Sequence, residues 1–533
     1  MQMGWIMSRK WICVFCLMGI LAFALWGCGE AGEGTVTDTG NNNRNYYEIF
    51  VYSFCDSDGD GIGDFDGIIS KLDYISELGF NGIWLMPIMP SSSYHKYDVQ
   101  DYYDVDSQYG TLKDFKKLLK ECHKRDIKLI IDLVFNHTSA SHPWFQKAVK
   151  YLEKLKEGQM PDPAKCPYVE YYHFTKWDNG RKEYHRAGKS EWFYECIFWD
   201  QMPDLDLDSK AVRKEIEKIA KYWLDMGVDG FRLDAAKEFF TGAVSKNIKV
   251  LEWFGDYVTS VKADAYIVAE VWDEFNVIKE YYTSGIPSFF NFPLSQSNGS
   301  IIKTVRQADS ESASSFAELL IKMQDKYSES NPDYIDAPFI SNHDTARIAS
   351  MCANNEQQMK MSAGILLTLS GSPFVYYGEE VGMYSSGSKD ENKRLPMRWS
   401  KTDTAGMTKG PAGADRVGHN FAPADEQQED PLSILNYYKN ALRIRNENPE
   451  LARGMVTVIE TLTDDTICAL EKNYQGSRLV VIYNINTEAA SVDLKAAGYE
   501  NLSVKGTLTV DGSEAALKDG VLEMPLYSIA ILK

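Results

Sequence analysis

A chain of 533 residues that is 44 % hydrophobic and 13 % aromatic carries enough apolar side chain for several packed domains, which excludes general disorder. Its formal net charge of −20 and pI near 5.0 exclude nucleic acid and an anionic membrane surface as partners, because both would be repelled over much of the molecule. A neutral polymer is left open.

At the start of the chain, Arg9 and Lys10 precede the apolar run WICVFCLMGILAFALW, which is shorter than the roughly 20 residues of a membrane-spanning helix. Residues 1–28 read as an export signal, with Met7 as an alternative start. An uncleaved anchor is the other reading and gives the same topology. The ending LWGC, Leu25 to Cys28, resembles the bacterial lipoprotein processing site, which would make Cys28 the lipidated first residue of the mature protein. The expected location is therefore the outer side of a bacterial cell membrane, anchored through Cys28 or released from it. Residues 29–45 are small and polar without apolar period and read as a tether.

The first apolar run of the mature chain, YYEIFVYSF (46–54), leads into DSDGDGIGDF (56–65). Asp56, Asp58, Asp60 and Asp64 set carboxylates at near-alternate positions, and the intervening glycines let the backbone wrap one centre, as a hard cation requires. A helix–loop–helix calcium site would need a Glu at the twelfth position, where Gly67 stands, and a helix before the loop rather than a strand-like run. A solvated Asp/Gly turn is the alternative.

Seven further runs follow: 80–88, 127–135, 228–233, 265–272, 288–294, 336–342 and 372–380. They alternate with amphipathic stretches such as TLKDFKKLLKECHKR and AVRKEIEKIAKYWLDM. Eight βα repeats predict a closed (β/α)8 TIM barrel. A doubly wound open sheet would share the alternation but would not need eight strands with polar residues at so many of their ends. The connection at 138–204 is too long for a βα loop and reads as an inserted domain splitting the barrel into 46–137 and 205–452. From 453 to 533, short strand-like runs joined by Gly, Asp and Asn turns predict an all-β sandwich. Cys166 and Cys196 lie in the insertion and could be bridged in an oxidising compartment.

At the predicted strand ends, polar residues converge: Asn136 and His137 after strand three, Arg232 and Asp234 on strand four, Glu270 on strand five, His343 and Asp344 on strand seven. Arg232 and Asp234 are two apart and so face the same way. Three carboxylates and an arginine without a serine or thiolate nucleophile point to glycosidic bond cleavage. Arg232 would keep Asp234 ionised as nucleophile. Glu270, crowded by like charge, would be raised in pKa and act as acid and then base.

The motifs DLVFNH (132–137), GFRLDAAKE (230–238), AEVW (269–272) and FISNHD (339–344), with YHKYDVQDY, MPDLDLD and GSPFVYYGEE in support, resemble the α-amylase family of retaining glycoside hydrolases over residues 46–533. The resemblance implies Asp234 as nucleophile, Glu270 as acid/base and Asp344 as the carboxylate that distorts and stabilises the sugar. It implies substrate binding by His95, Tyr97, Asp98, His137, Arg232, Lys237 and His343. It also implies a structural Ca2+ on Asp56, Asp58, Asp60, Asp64 and the carbonyl of Ile62, and it matches Asn136 to a second calcium site. The implied activity is endo-hydrolysis of α-1,4 bonds in starch and maltooligosaccharides by a monomer. Val271 after the acid favours α-1,4 action, whereas Glu238 stands where the family's usual His would follow Lys237. The alternatives are a neopullulanase- or cyclomaltodextrinase-like hydrolase, an α-glucan transglycosylase, and a non-catalytic starch-binding protein, which the full set of carboxylates argues against. Trp177, Trp192, Phe193 and Trp199 form either an outer glucan platform or core packing.

Overall fold

The computed structural model describes residues 43–178, 180–385 and 387–533. The expected export signal, Cys28 and nearly all of the expected tether lie outside them. Among the described residues, no helix is long and apolar enough to cross a membrane.

The strands in chain order begin with β1 (Tyr46–Ile49), β2 (Gly82–Leu85), β3 (Lys128–Leu133), β4 (Phe174–Thr175) and β5 (Tyr184–Arg186). They continue with β6 (Phe193–Glu195), β7 (Gly230–Leu233), β8 (Tyr266–Ala269), β9 (Ser288–Phe289) and β10 (Phe374–Tyr376). Seven of them form one parallel sheet in the order β10-β1-β2-β3-β7-β8-β9. Its strands are buried on both sides, as expected where helices cover the outer face. Inside, Tyr46 lies flat between Phe374 (ring centroids 4.7 Å) and Tyr266 (5.2 Å), filling the cylinder with side chains rather than a channel. Gly230 permits the closest approach: at φ +153 a Cβ would stand 1.8 Å from the Tyr266 carbonyl oxygen.

Two expected strands differ. The run 336–342 makes only single parallel bridges, Ala337 to Phe290 and Phe339 to Phe374, which carry the sheet across the gap between β9 and β10. Pro338, between the bridged residues, has no N–H to continue a ladder. The run 46–54 is strand only to Ile49, after which Val51–Phe54 is helical. The reason is pairing: Ile49 faces Leu85, the last residue of β2, so no partner edge extends further.

The chain leaves the barrel after β3 and returns beside its own exit. Leu205 N donates to Asn136 O (2.8 Å) and Thr138 N to Pro203 O (3.1 Å). Between them stand the helix Pro143–Leu152 and a small antiparallel sheet ordered β4-β6-β5. Cys166 and Cys196 are not bridged: the Cys166 thiol donates to Lys147 O and that of Cys196 to Glu183 O, each buried in a separate contact.

The C-terminal strands are β11 (Met455–Val458), β12 (Ile467–Tyr474), β13 (Ser477–Asn484), β14 (Ala490–Asp493), β15 (Val504–Thr509), β16 (Ala516–Lys518), β17 (Val521–Met524) and β18 (Ser528–Leu532). They form a five-stranded sheet, β11-β12-β13-β18-β15, facing a three-stranded one, β14-β17-β16. The period of two divides the larger sheet's side chains. Val480, Ile482, Ala530 and Leu532 pack with the small sheet, whereas Val481, Tyr483, Ile529 and Ile531 join the barrel's core. The hairpin β16–β17 was not read from the sequence, although its turn, Asp519-Gly520 with both φ positive, is a standard hairpin signal.

Candidate active site

One buried guanidinium organises the rim of the sheet. Arg232, on β7, is 1 % exposed. Its Nη1 donates to Asp234 Oδ1 (2.6 Å) and to both oxygens of Asp132 (2.9 and 3.0 Å), while Nη2 lies 2.9 Å from Glu270 Oε2. Arg232 on β7 and Asp234, the residue just past its end, are two apart along extended chain and so share a face, and parallel pairing of β7 with β8 brings up the chain carrying Glu270. Glu270 Oε2 also accepts from Ala235 N (3.1 Å), a residue held in the left-handed region at φ +46. Burial pushes the Glu270 carboxyl up, Arg232 opposes this, and the Asp234 charge adds to the rise.

A second cluster faces the first. His343 is fully buried, with Nδ1 2.6 Å from Glu48 Oε1 and Nε2 2.9 Å from Asp344 Oδ2 and 2.7 Å from the Tyr97 hydroxyl. Burial works against the imidazolium, but Asp344 and Glu48 outweigh it and raise its pKa to about 9. Both ring nitrogens are then donors. Burial likewise works to raise Asp344, yet His343 and Arg394 overcome it and hold that carboxyl well below the carboxylate range. Tyr97 joins the clusters, its hydroxyl donating to Asp132 Oδ2 (3.1 Å) and its ring stacked on that of His343.

Between the clusters opens a cleft of about 610 Å³ onto which Asp234, Glu270 and Asp344 all face. His95, Tyr97, His137 and Lys237 also line it. His137 is fixed by a contact of its Nε2 with Tyr97 O (3.2 Å), and Lys237 pairs with Asp273 (2.8 Å). Asp98 does not line it; its carboxylate accepts from the hydroxyls of Ser91, Ser92 and Ser93, and Ser93 in turn contacts His95 Nδ1 (3.1 Å). Asp98 thus shapes the loop that carries His95. Glu238 lines the cleft and accepts from the Thr241 hydroxyl. Val271 is buried.

Of the aromatics, Trp199 and Phe198, each 49 % exposed, stand in the cleft, Trp192 is core, and Trp177 is exposed outside it. Sequence reasoning missed Glu48, Asp132 and Arg394. For the first two a signal existed: each is the one acid in its barrel strand, flanked by apolar residues.

In the acidic loop, Asp56, Asp58 and Asp64 offer oxygens that all lie within 4.8 Å of one another, a donor set that could hold a divalent cation. Asp56 also accepts from the amides of Asp58, Gly59 and Gly61, and Asp64 from those of Ser57 and Gly67, so the loop is folded around these two carboxylates. Asp60 lies outside the triad, accepting from Ile62 N (2.7 Å). Asn136 stands beside Asp204 (3.3 Å), whose carboxyl burial raises to about 8.

The family model "Alpha amylase, catalytic domain" matches residues 48–454. The chain is 38 % identical over 492 residues to "Alpha-amylase 3" of Dictyoglomus thermophilum, covering 91 % of each. It is 31 % identical over 422 residues to "4-alpha-glucanotransferase" of Thermotoga maritima, covering 76 % of this chain and 88 % of that one. Among solved structures, "Eubacterium rectale Amy13B" superposes with a TM-score of 0.89 at 45 % identity, covering 92 % of this chain and 95 % of that one.

Proposed function

Because the chain belongs to the α-amylase catalytic-domain family, we propose that it cleaves α-1,4-glucosidic bonds of starch-like glucans with retention of configuration. The observation that carries this is the single guanidinium of Arg232, shared between Asp234 and Glu270 at 2.6 and 2.9 Å at the edge of one cleft. Two carboxyls bound to one guanidinium meet at one point of the cleft, and a retaining enzyme sets them about 5–5.5 Å apart. An inverting enzyme needs about 6.5–9.5 Å between them to admit a water.

In this reading Arg232 aims the Asp234 carboxylate, and Asp234 attacks the anomeric carbon. The bond to the leaving oxygen breaks as Glu270, whose pKa burial raises, gives that oxygen a proton. Glu270 then takes a proton from the incoming hydroxyl, which displaces Asp234 and restores both carboxyls. Asp344, held ionised, accepts from the sugar's hydroxyls and His137 hydrogen-bonds the same ring, whereas His343, buried outside the cleft with both nitrogens taken by Glu48, Asp344 and Tyr97, positions Asp344 instead of touching the sugar. Tyr97 gives it a face to stack on. A structural Ca2+ on Asp56, Asp58 and Asp64, with Asp60 and the Ile62 carbonyl, would neutralise the loop's like charges and tie it down.

The incoming hydroxyl belongs to water or to a second sugar. The exposed rings of Phe198, Trp199 and Trp272 favour the latter as a second reading, α-glucan transfer, because they offer an acceptor sugar a surface on which to displace water. Time-resolved products from amylose, pullulan and a cyclodextrin, with anomers followed by proton NMR, test both. A β-anomer as first product would refute retention, and products longer than the substrate would assign transfer. This proposal includes the division into domains at 138, 205 and 453 and an export signal ending at the lipidated Cys28. Unchanged cell association of a Cys28→Ser variant would refute the anchor.

A further inference from the structure

Glu48 is an acid in the wall of the barrel. It stands in β1 opposite Trp84 of β2 and Tyr376 of β10, and it is 1 % exposed. A carboxylate left alone at such a place would lose its hydration without compensation. Its Oε1 lies 2.6 Å from Nδ1 of His343, a residue 295 positions further along the chain.

The protons of this cluster are fixed by their partners. The Tyr97 hydroxyl gives its one proton to Asp132 Oδ2 (3.1 Å), so towards His343 Nε2 (2.7 Å) it can only accept. The same Nε2 lies 2.9 Å from Asp344 Oδ2, an acceptor as long as Asp344 is ionised. Nε2 therefore carries a proton. Nδ1 faces the Glu48 carboxylate, another acceptor, and carries one too. A ring that donates from both nitrogens is an imidazolium. Around it the charges alternate: Asp132 is backed by Arg232, and Asp344 has Arg394 on Oδ1 and His343 on Oδ2, while Trp84 meets the ring edge-on at 5.6 Å. Burial opposes a charged imidazole, but Asp344 and Glu48 outweigh it, in agreement with this count of protons. We propose that Glu48 is a positioning residue for the reaction: its buried carboxylate keeps His343 doubly protonated, and in that form His343 aims Asp344 and Tyr97 at the sugar. The inference rests on the roles given to Asp344 and Tyr97 in the proposed function.

The test uses the full chain with 15N-labelled histidine, the His343 ring signals being those missing from His343→Gln. In the wild type both His343 nitrogens should carry protons from about pH 5 to about pH 8. Glu48→Gln keeps the shape, and whichever way its amide lies, the ring loses the partner of its positive charge. The variant's ring should give up a proton at about pH 7–8 instead of about 9. The ratio of variant to wild-type kcat/KM on maltoheptaose should then stay within about twofold of one at pH 6 and fall about fivefold by pH 9. Glu48→Asp, which keeps the charge on a shorter stem, should restore part of the activity at high pH. A ratio lowered equally at every pH would overturn the proposal, since a merely structural acid behaves so. A wild-type ring with one bare nitrogen at pH 7 would also overturn it, and that measurement needs no variant to fold. If the wild-type protein cleaves no α-glucan, the proposed function fails, and the nitrogen titration still decides what Glu48 does to His343.

Discussion

Arg394 donates from Nη2 to Asp344 Oδ1 at 2.7 Å, although the two residues are fifty positions apart in the chain. The arginine is 4 % exposed and its Nη1 is taken by the Tyr94 hydroxyl (2.9 Å), so its planar fork has one orientation and Asp344 is fixed by it. A partly buried charge-assisted pair of this kind is worth about 1.5–3 kcal/mol.

Arg394→Ala is therefore expected to lower kcat/KM about ten- to hundredfold. It should also move the acid limb of the pH profile upward, because Asp344 loses one of the cations that hold its carboxyl down. Arg394→Lys should recover part of both effects. A profile whose acid limb does not move in the Ala variant would show that the pair does not govern Asp344.

Glu270→Gln removes the proton donor without changing shape and should reduce kcat by about 10²–10⁴. In the wild type the donor must be protonated, so activity falls as pH rises through the Glu270 pKa, which burial has raised. Asp234→Asn leaves too little activity for a profile, but direct titration of Glu270 by NMR in that variant should give a lower pKa, since the neighbouring negative charge is gone. An equal or higher value would contradict the stated cause.

The buried His343 makes stability depend on pH. Its pKa rises from 6.5 unfolded to about 9 in the fold, so its contribution is fully present below pH 6.5 and is lost as pH rises through 9. The linkage amounts to on the order of 3 kcal/mol. Denaturant midpoints compared between pH 6 and pH 10 should fall more for the wild type than for His343→Gln. Parallel decreases would sink this assignment.

The acidic loop separates metal effects from folding effects. Asp58 is exposed and, among the described residues, accepts only from Asp60 N, so without divalent ions Asp58→Ala should change Tm little. With millimolar calcium the wild type should gain a few degrees and the variant should not. Asp56→Ala should be destabilised under both conditions, because three backbone amides lose their acceptor. Thermal scans with chelator and with calcium decide it.

Much of this protein is written locally. Apolar runs separated by amphipathic stretches determined the repeating βα units, and the two-residue spacing of Arg232 and Asp234 placed both on one face before any contact was known. The Gly-spaced aspartates marked a compact acidic loop. These features follow from dihedral preference and side-chain period, which act between near neighbours.

Tertiary structure decided the rest. It alone brings Glu48 of the first strand to His343, Asp132 to Arg232, and Arg394 to Asp344, and it alone turns Asp98 away to three serines and keeps Cys166 and Cys196 in separate contacts. Such pairings depend on the path of long connections and on burial, which sets the electrostatic cost of leaving a charge alone, and no local pattern carries either.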